Sequence, residues 1–400
     1  MSYTSNTTSV LNPKHVLPRV QAYRNKMLVG KAICDTRYAD NLVSGDRIDF
    51  GYMTDVRVQT YTAGTLLDID PATVTADYLN ISTTQAATFL IEEPQIKQSA
   101  VKDLESTLSF QCAHQLGSFV DQAVLYAGTS QAANSLYSGA TQTINGGTAY
   151  DVFADAGAEL DFASAGAGGR FAVVDPAMAA KIQKNLVANG FNIADSTLVN
   201  GFKGNFGGFD VYVSNNLRST ATLKAATTPT AGDTITILGV TWTVVADGTA
   251  TNAGEVSTGA NAADFQAIIR AAINGTTQPN AGDYVDVSTA NRRKLQNAQV
   301  SCAAFAGNLA VISGYGRLNP SETLTAAADG FSVGEVNNFL FGVYGAIALG
   351  LQQAPKMKTN PIQGSLADEY KMWQLYGTDV FERDTYRLAK VANLVTAATV

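Results

Sequence analysis

The chain has 400 residues, 46% hydrophobic and only 15% charged. That excludes a disordered polypeptide and leaves material for two or three domains. The formal net charge of −7 argues against general affinity for nucleic acid or anionic membranes, and two His and three Cys exclude most metal and redox frameworks. A charged share this far below the usual ~25% implies a surface largely hidden against other copies.

The opening residues, MSYTSNTTSVLNPKH, are polar and lack the apolar core of a signal peptide. Residues 1–45 read as an extended, basic arm interrupted by Pro13 and Pro18, with weak helical patterning from Val20 to Val29. Lys14, Arg19, Arg24, Lys26, Lys31 and Arg37 outweigh Asp35 and Asp40 there, for a net +4. Residues 46–96 read as strands, with alternation at Val56 and Val58, a turn at Ala63-Gly64, and a Thr/Ile/Tyr/Phe-rich stretch from Thr73 to Ile91. This segment has no Lys. Arg47 and Arg57 face Asp46, Asp49, Asp55, Asp68, Asp70, Asp77, Glu92 and Glu93, for a net −6.

Residues 99–127 carry apolar side chains in steps of three and four from Val101 to Ala123, which predicts one long helix stopped by Gly128. A Ser/Gly/Thr/Asn-rich loop follows, then a helix near 149–164. Phe171 to Val174 reads as a buried strand, and Asp175-Pro176 as the cap and first turn of a helix ended by Gly190. GFKGNFGGFDVYVSNNL (201–217) reads as a glycine turn feeding a strand.

Near residue 219 the composition shifts to Ala, Thr, Gly and Asp. Residues 219–334 contain an alternating strand or hairpin (233–248), a short amphipathic helix (263–275) ended by Gly275, and a strand (308–316), which together suggest an inserted α+β domain. Beyond it, Phe339 to Leu351 is too short for a membrane span and reads as a buried strand. Residues 346–357 read as a strand and 380–391 as a late edge strand.

No motif announces chemistry. Gly30-Lys31 lacks the rest of a phosphate-binding loop, and the glycines at 166–169 and 201–208 complete no dinucleotide fingerprint. His15 and His114 have no neighbouring His. Asp68-Ile69-Asp70 lacks the rest of a calcium loop. Glu92 and Glu93, adjacent on a strand, point to opposite faces and make a poor acid–base pair. Arg292-Arg293-Lys294 is a short basic cluster whose default reading is a solvated helix start, with docking onto a neighbour's acidic patch as the sharper one. Cys34, Cys112 and Cys302 read as small buried hydrophobes in a reducing compartment. No enzyme, cofactor or metal is expected.

The order of these elements resembles the major capsid protein of tailed double-stranded-DNA bacteriophages, the Hong Kong 97-type fold. The passages that carry the likeness are GDRIDFGYMTDVRVQTYTAG with IEEPQIKQS, the helix ending VDQAVLYAG, RFAVVDPAMAAKI, GFDVYVSNNL, and GAIALGLQQAP followed by YGTDVFERDTYRLAKV. The resemblance implies an α+β fold with an N-terminal arm (1–45), an extended loop with flanking strands (46–96) and a spine helix (97–128). It further implies an axial domain in two parts (129–218 and 335–375), an insertion (219–334) and a peripheral return strand (376–400). It implies assembly into pentamers and hexamers of an icosahedral shell around double-stranded DNA. The expected partners are copies of the chain itself, scaffolding and portal proteins and a possible cement protein, with no membrane. The expected location is the virion capsid, assembled in the host cytoplasm. An encapsulin-like nanocompartment or another virion structural protein is the alternative. The lysine-free loop departs from members that crosslink through a loop lysine, so noncovalent contacts must hold the shell. Candidate contact residues are Arg19, Arg24, Lys26, Lys31, Asp68, Asp70, Asp77, Glu92, Glu93, Arg292, Arg293 and Lys294.

Overall fold

The computed structural model describes residues 28–37, 45–53, 55–69, 71, 73–92, 104–166, 168–188, 204–325, 329–364 and 366–395. The described residues divide into two compact units, one within 84–116 and 353–374, the other within 28–83, 117–352 and 375–395.

The smaller unit holds most of a three-stranded sheet in the order β16 (Ala348–Pro361), β17 (Ala367–Asp379), β3 (Thr83–Glu92). Its strands alternate, so Gln85 and Phe89 of β3 and Tyr370 and Gln374 of β17 share the covered face. Phe89 stacks on Tyr370 at 4.8 Å. Gln374 donates to the Leu116 carbonyl (2.9 Å) and to Gln85 (3.1 Å), which ties strand and helix together.

The larger unit is built on a nine-stranded sheet. Its path is β12 (Ser301–Cys302), β13 (Leu309–Tyr315), β8 (Arg218–Lys224), β15 (Gly330–Val343), β5 (Arg170–Val174), β7 (Phe209–Val213) and β6 (Asn205–Phe206). β18 (Leu388–Leu394) pairs antiparallel with β15, and β4 (Asn134–Ser135) joins β18. Helices α3 (Ala149–Phe162) and α4 (Pro176–Ala188) belong to the same unit. Asp175 caps α4 by accepting from the Met178 amide at 2.7 Å.

Two hydrophobic cores lie along this sheet. The first gathers Val120, Val124 and Leu125 of α2 (Leu104–Gln131) with Phe153, Phe171, Phe209, Phe339 and Phe341. The second lies wholly between residues 221 and 331. There β9 (Thr234–Ile237), β10 (Val240–Val245), β11 (Glu255–Ser257) and β14 (Ser321–Glu322) form a four-stranded sheet. Ile235, Ile237, Trp242 and Val244 on its inner face join Phe265, Ile268 and Ile269 of α5 (Ala262–Asn274) in one core. Gly275 closes α5 in the left-handed region (φ 65°), where a side chain would be strained.

Several expectations need correction. Gly128 does not stop α2, which runs on to Gln131. A Cβ there would lie 2.7 Å from Leu340 and 2.8 Å from Ile347, so this glycine serves close packing rather than capping. Phe339 to Leu351 is not one strand but the end of β15, a turn, and the start of β16. Residues 380–391 begin as a 3₁₀ turn (Glu382–Arg387), and the following β18 is paired on both edges, so it is not an edge strand. Val56 and Val58 lie in an irregular segment, not a strand. Gly190 and the Val20-to-Met27 stretch lie outside the described residues.

Candidate assembly surface

β1 (Arg47–Met53) and β2 (Val74–Asn80) form an antiparallel hairpin, paired from Arg47 opposite Asn80 to Met53 opposite Val74. The root of the connection between the two strands is held by the Glu382–Arg387 turn. Tyr52 Oη donates to Glu382 (2.9 Å), the Glu382 amide donates to Asp77 (2.8 Å), and Arg383 donates to Asp55 (2.7 Å). Arg383 also lies over the Tyr52 ring at 5.1 Å, and Phe50 meets Phe381 at 4.8 Å. The Tyr52 hydroxyl is pushed above its ordinary range, chiefly because it donates to the Glu382 carboxylate. An open groove of about 790 Å³ lies beside this root, lined by Tyr52, Asp55, Arg383, Tyr386, Arg387 and the 163–166 turn.

Beyond the root lies the segment between β1 and β2. The Gln59 side-chain amide and the Asp68 backbone exchange two hydrogen bonds (2.9 and 3.1 Å), and Arg57 pairs with Asp68 at 3.4 Å. Its apolar side chains meet solvent. Leu66 is 100% exposed, Val58 96% and Ile69 93%, and Met53, Val56, Tyr61, Leu67 and Val74 are also exposed. Scattered single apolar residues on a surface need no explanation, but here they are concentrated in one hairpin.

Among the sequence candidates, the structure brings Asp77 into the hairpin root and places Asp68 at its tip. Lys31 is exposed on the single turn α1 (Gly30–Ile33), and Glu92 is exposed at the end of β3. Arg293 and Lys294 are exposed on α6 (Thr289–Asn297). Arg292 turns inward, pairs with Asp286, and donates to the Ile273 and Ala272 carbonyls (2.9 and 2.7 Å), so it caps the end of α5. Arg19, Arg24, Lys26, Asp70 and Glu93 lie outside the described residues. Sequence reasoning missed Tyr52, Glu382 and Arg383, whose only signal is a charge-rich turn far along the chain.

Burial pushes the Cys34 and Cys302 thiols up to about 12 and raises Cys112 as well, which suits packing rather than nucleophilic roles. Among the described residues no cluster of three His, Cys, Asp or Glu could hold a metal, and no helix is long and apolar enough to cross a membrane.

No family model matches the sequence, and no curated protein matches it. The structure, however, is similar to solved phage chains over nearly its whole length. One from Mycobacterium phage Che8 is 14% identical, with 94% of this chain and 97% of that one covered and a TM-score of 0.56. A chain of the capsid structure of the cyanophage P-SCSP1u is 13% identical, with 98% and 96% covered and a TM-score of 0.54. A chain from Mycobacterium phage Ogopogo is 11% identical, with 98% and 100% covered and a TM-score of 0.51. At such identities the likeness is one of fold, and the fold is that of a phage capsid chain, as the order of elements in the sequence implied.

Proposed function

We propose that this chain is the major capsid protein of a tailed phage, assembling through pentamers and hexamers into an icosahedral shell around packaged double-stranded DNA. The capsid fold supports this reading, and one observation carries it. The hairpin tip exposes a group of large apolar side chains that a chain living alone would bury. In a shell, the next copy covers them. Fully burying each such side chain contributes roughly 1.5–3 kcal/mol, and many modest contacts per subunit sum to a stable closed wall.

In this reading residues 1–45 are the arm and 46–96 the extended loop with flanking strands. Residues 97–128 and 376–400 are peripheral, 129–218 and 335–375 axial, and 219–334 an inserted domain. The second hydrophobic core, confined to residues 221–331, supports the last assignment. The net +4 arm and net −6 loop pair between neighbours, a pairing that salt weakens because exposed charges are screened beyond ~10 Å at 0.1 M. Scaffolding, portal and cement proteins are the remaining partners, the assembly site is the host cytoplasm, and the chain carries out no catalysis.

Electron microscopy of the expressed chain, alone and with the scaffolding protein of its own phage, tests the proposal. Closed particles or curved sheets are expected. A chain that stays monomeric under both conditions overturns it, and particles that never protect DNA from nuclease during phage growth point instead to a compartment without a genome.

A further inference from the structure

Helix α2 has a polar stripe as well as an apolar one. Val120 and Val124 enter the first core, whereas Ser118, Asp121 and Gln122 are buried polar residues, with Gln122 wholly so. Buried polar groups must find partners or incur the full desolvation cost. Their partners lie in three separate parts of the chain.

Asp121 accepts the Val29 amide at 2.7 Å and the Gly30 amide at 2.5 Å, which pins the root of the N-terminal segment to the helix. Gly30 permits this approach, since a Cβ there would lie 3.1 Å from Asp121 Oδ1 and 3.2 Å from Val124. The other oxygen of Asp121 accepts from Asn216 Nδ2 at 2.7 Å. Asn216, wholly buried between β7 and β8, turns its own carbonyl oxygen to Ser118 Oγ (3.2 Å) and Gln122 Nε2 (3.4 Å). Gln122 then reaches the 219–334 segment. It donates to the Asn297 carbonyl (3.4 Å) and accepts from Gln299 Nε2 at 2.8 Å.

We infer that this hydrogen-bonded chain, from Val29 and Gly30 through Asp121, Asn216 and Gln122 to Gln299, couples the root of the arm to the 219–334 segment. Asn216 is the pivot, because its amide cannot turn to serve one side without abandoning the other: Nδ2 faces Asp121 and Oδ1 faces Ser118 and Gln122. A shift of the segment around Gln299 therefore loosens the hold on Gly30, and a shift of the arm root is felt at Gln299 to the same extent, since coupling is reciprocal. The relay is a property of the folded chain. Its consequence for assembly, that a partner bound on the segment biases the arm's reach to a neighbour, rests on the shell reading above.

Hydrogen exchange of the full chain, read on peptides covering Val29–Gly30 and Asn297–Gln299, tests the relay without any assembly step. Gln299→Ala removes a surface side chain and should raise exchange of the Val29 and Gly30 amides about three- to tenfold. Arg293→Ala, on the neighbouring helix but outside the relay, should leave them unchanged. Gly30→Ala, which pushes on Asp121, should raise exchange at 297–299 by a similar factor. Equal exchange at Val29 and Gly30 in the Gln299→Ala and Arg293→Ala chains overturns the inference. Gln299→Ala empties no apolar core site, and exchange read in parallel on the Phe265–Ile269 peptide separates a local loosening at Val29 and Gly30 from a general loss of stability. Shell formation plays no part in the readout, so loss of the capsid reading and loss of the relay are separately visible.

Discussion

The hairpin region (residues 45–83) and the 219–334 segment spend their apolar residues in opposite ways. The hairpin holds Val58, Leu66 and Ile69 out in solvent, whereas the segment draws Ile235, Trp242, Phe265 and Ile269 into a core of its own. Alternation in β9 and β10 has a helix to face, and α5 supplies it. The hairpin has two strands and no helix of its own, and an isolated two-stranded hairpin is at best marginally stable in water. The 219–334 segment completes its core within one chain. In the shell reading proposed above, the hairpin is completed by the neighbouring copy.

The strongest way to break this contrast is to make the tip polar. Replacing Val58, Leu66 and Ile69 together by Ser should leave thermal unfolding of the isolated chain within about 0.5 kcal/mol of the parent, because none is buried there. It should abolish particles in electron microscopy, since roughly 1.5–3 kcal/mol per side chain is lost at every copy. Wild-type particle yield from this variant removes the tip from the interface. The opposite signature is expected from Phe265→Ala. That change empties a fully buried site and should cost about 3–5 kcal/mol in chemical denaturation of the unassembled chain. A cost near zero would mean that the second core is not a core.

A finer distinction separates two adjacent arginines. Arg292 holds the last carbonyls of α5, so Arg292→Ala should cost about 1–3 kcal/mol, with partial recovery in Arg292→Lys. Arg293→Ala should stay within about 0.5 kcal/mol in the same denaturant titration. The sequence reads these residues as one basic cluster, because charge alone does not tell which guanidinium faces a helix end. The same limit runs through the fold. Gly275 and Gly128 look alike as helix stops, but only Gly275 sits in the left-handed region, while Gly128 answers to Leu340 and Ile347, hundreds of residues away. Elements with local causes were legible: the Asp175 cap, the β9–β10 hairpin, the stripe of α5. The hairpin tip was misread as strand because Val56 and Val58 alternate whether or not a partner strand exists. The buried stripe on α2 left no trace at all, since Ser118, Asp121 and Gln122 look in sequence like any solvated helix face.

The smallest effect concerns acid. The hairpin's Asp49, Asp55 and Asp68 are exposed, but Glu335, where β15 passes between the two cores, is buried and receives the Leu318 and Asn319 amides (2.8 and 2.9 Å). Burial raises its carboxyl above the ordinary range, and the two amides and Arg317 at 3.9 Å only partly offset this. The native state therefore binds this proton more readily than the unfolded chain. Between the ordinary carboxylate range, near 4.5, and the raised value, stability falls as pH rises, and the contribution is complete only below that window. Asp121 is raised by burial too and carries the same sign, so the wild-type slope is a joint one. Glu335→Gln removes one titration while keeping an acceptor for one of the two amides. Denaturant titrations from pH 4.5 to 7.5 should show a shallower decline for this variant than for the parent. Parallel curves would place Glu335 in water, and with it the seam between the self-contained core and the rest of the sheet.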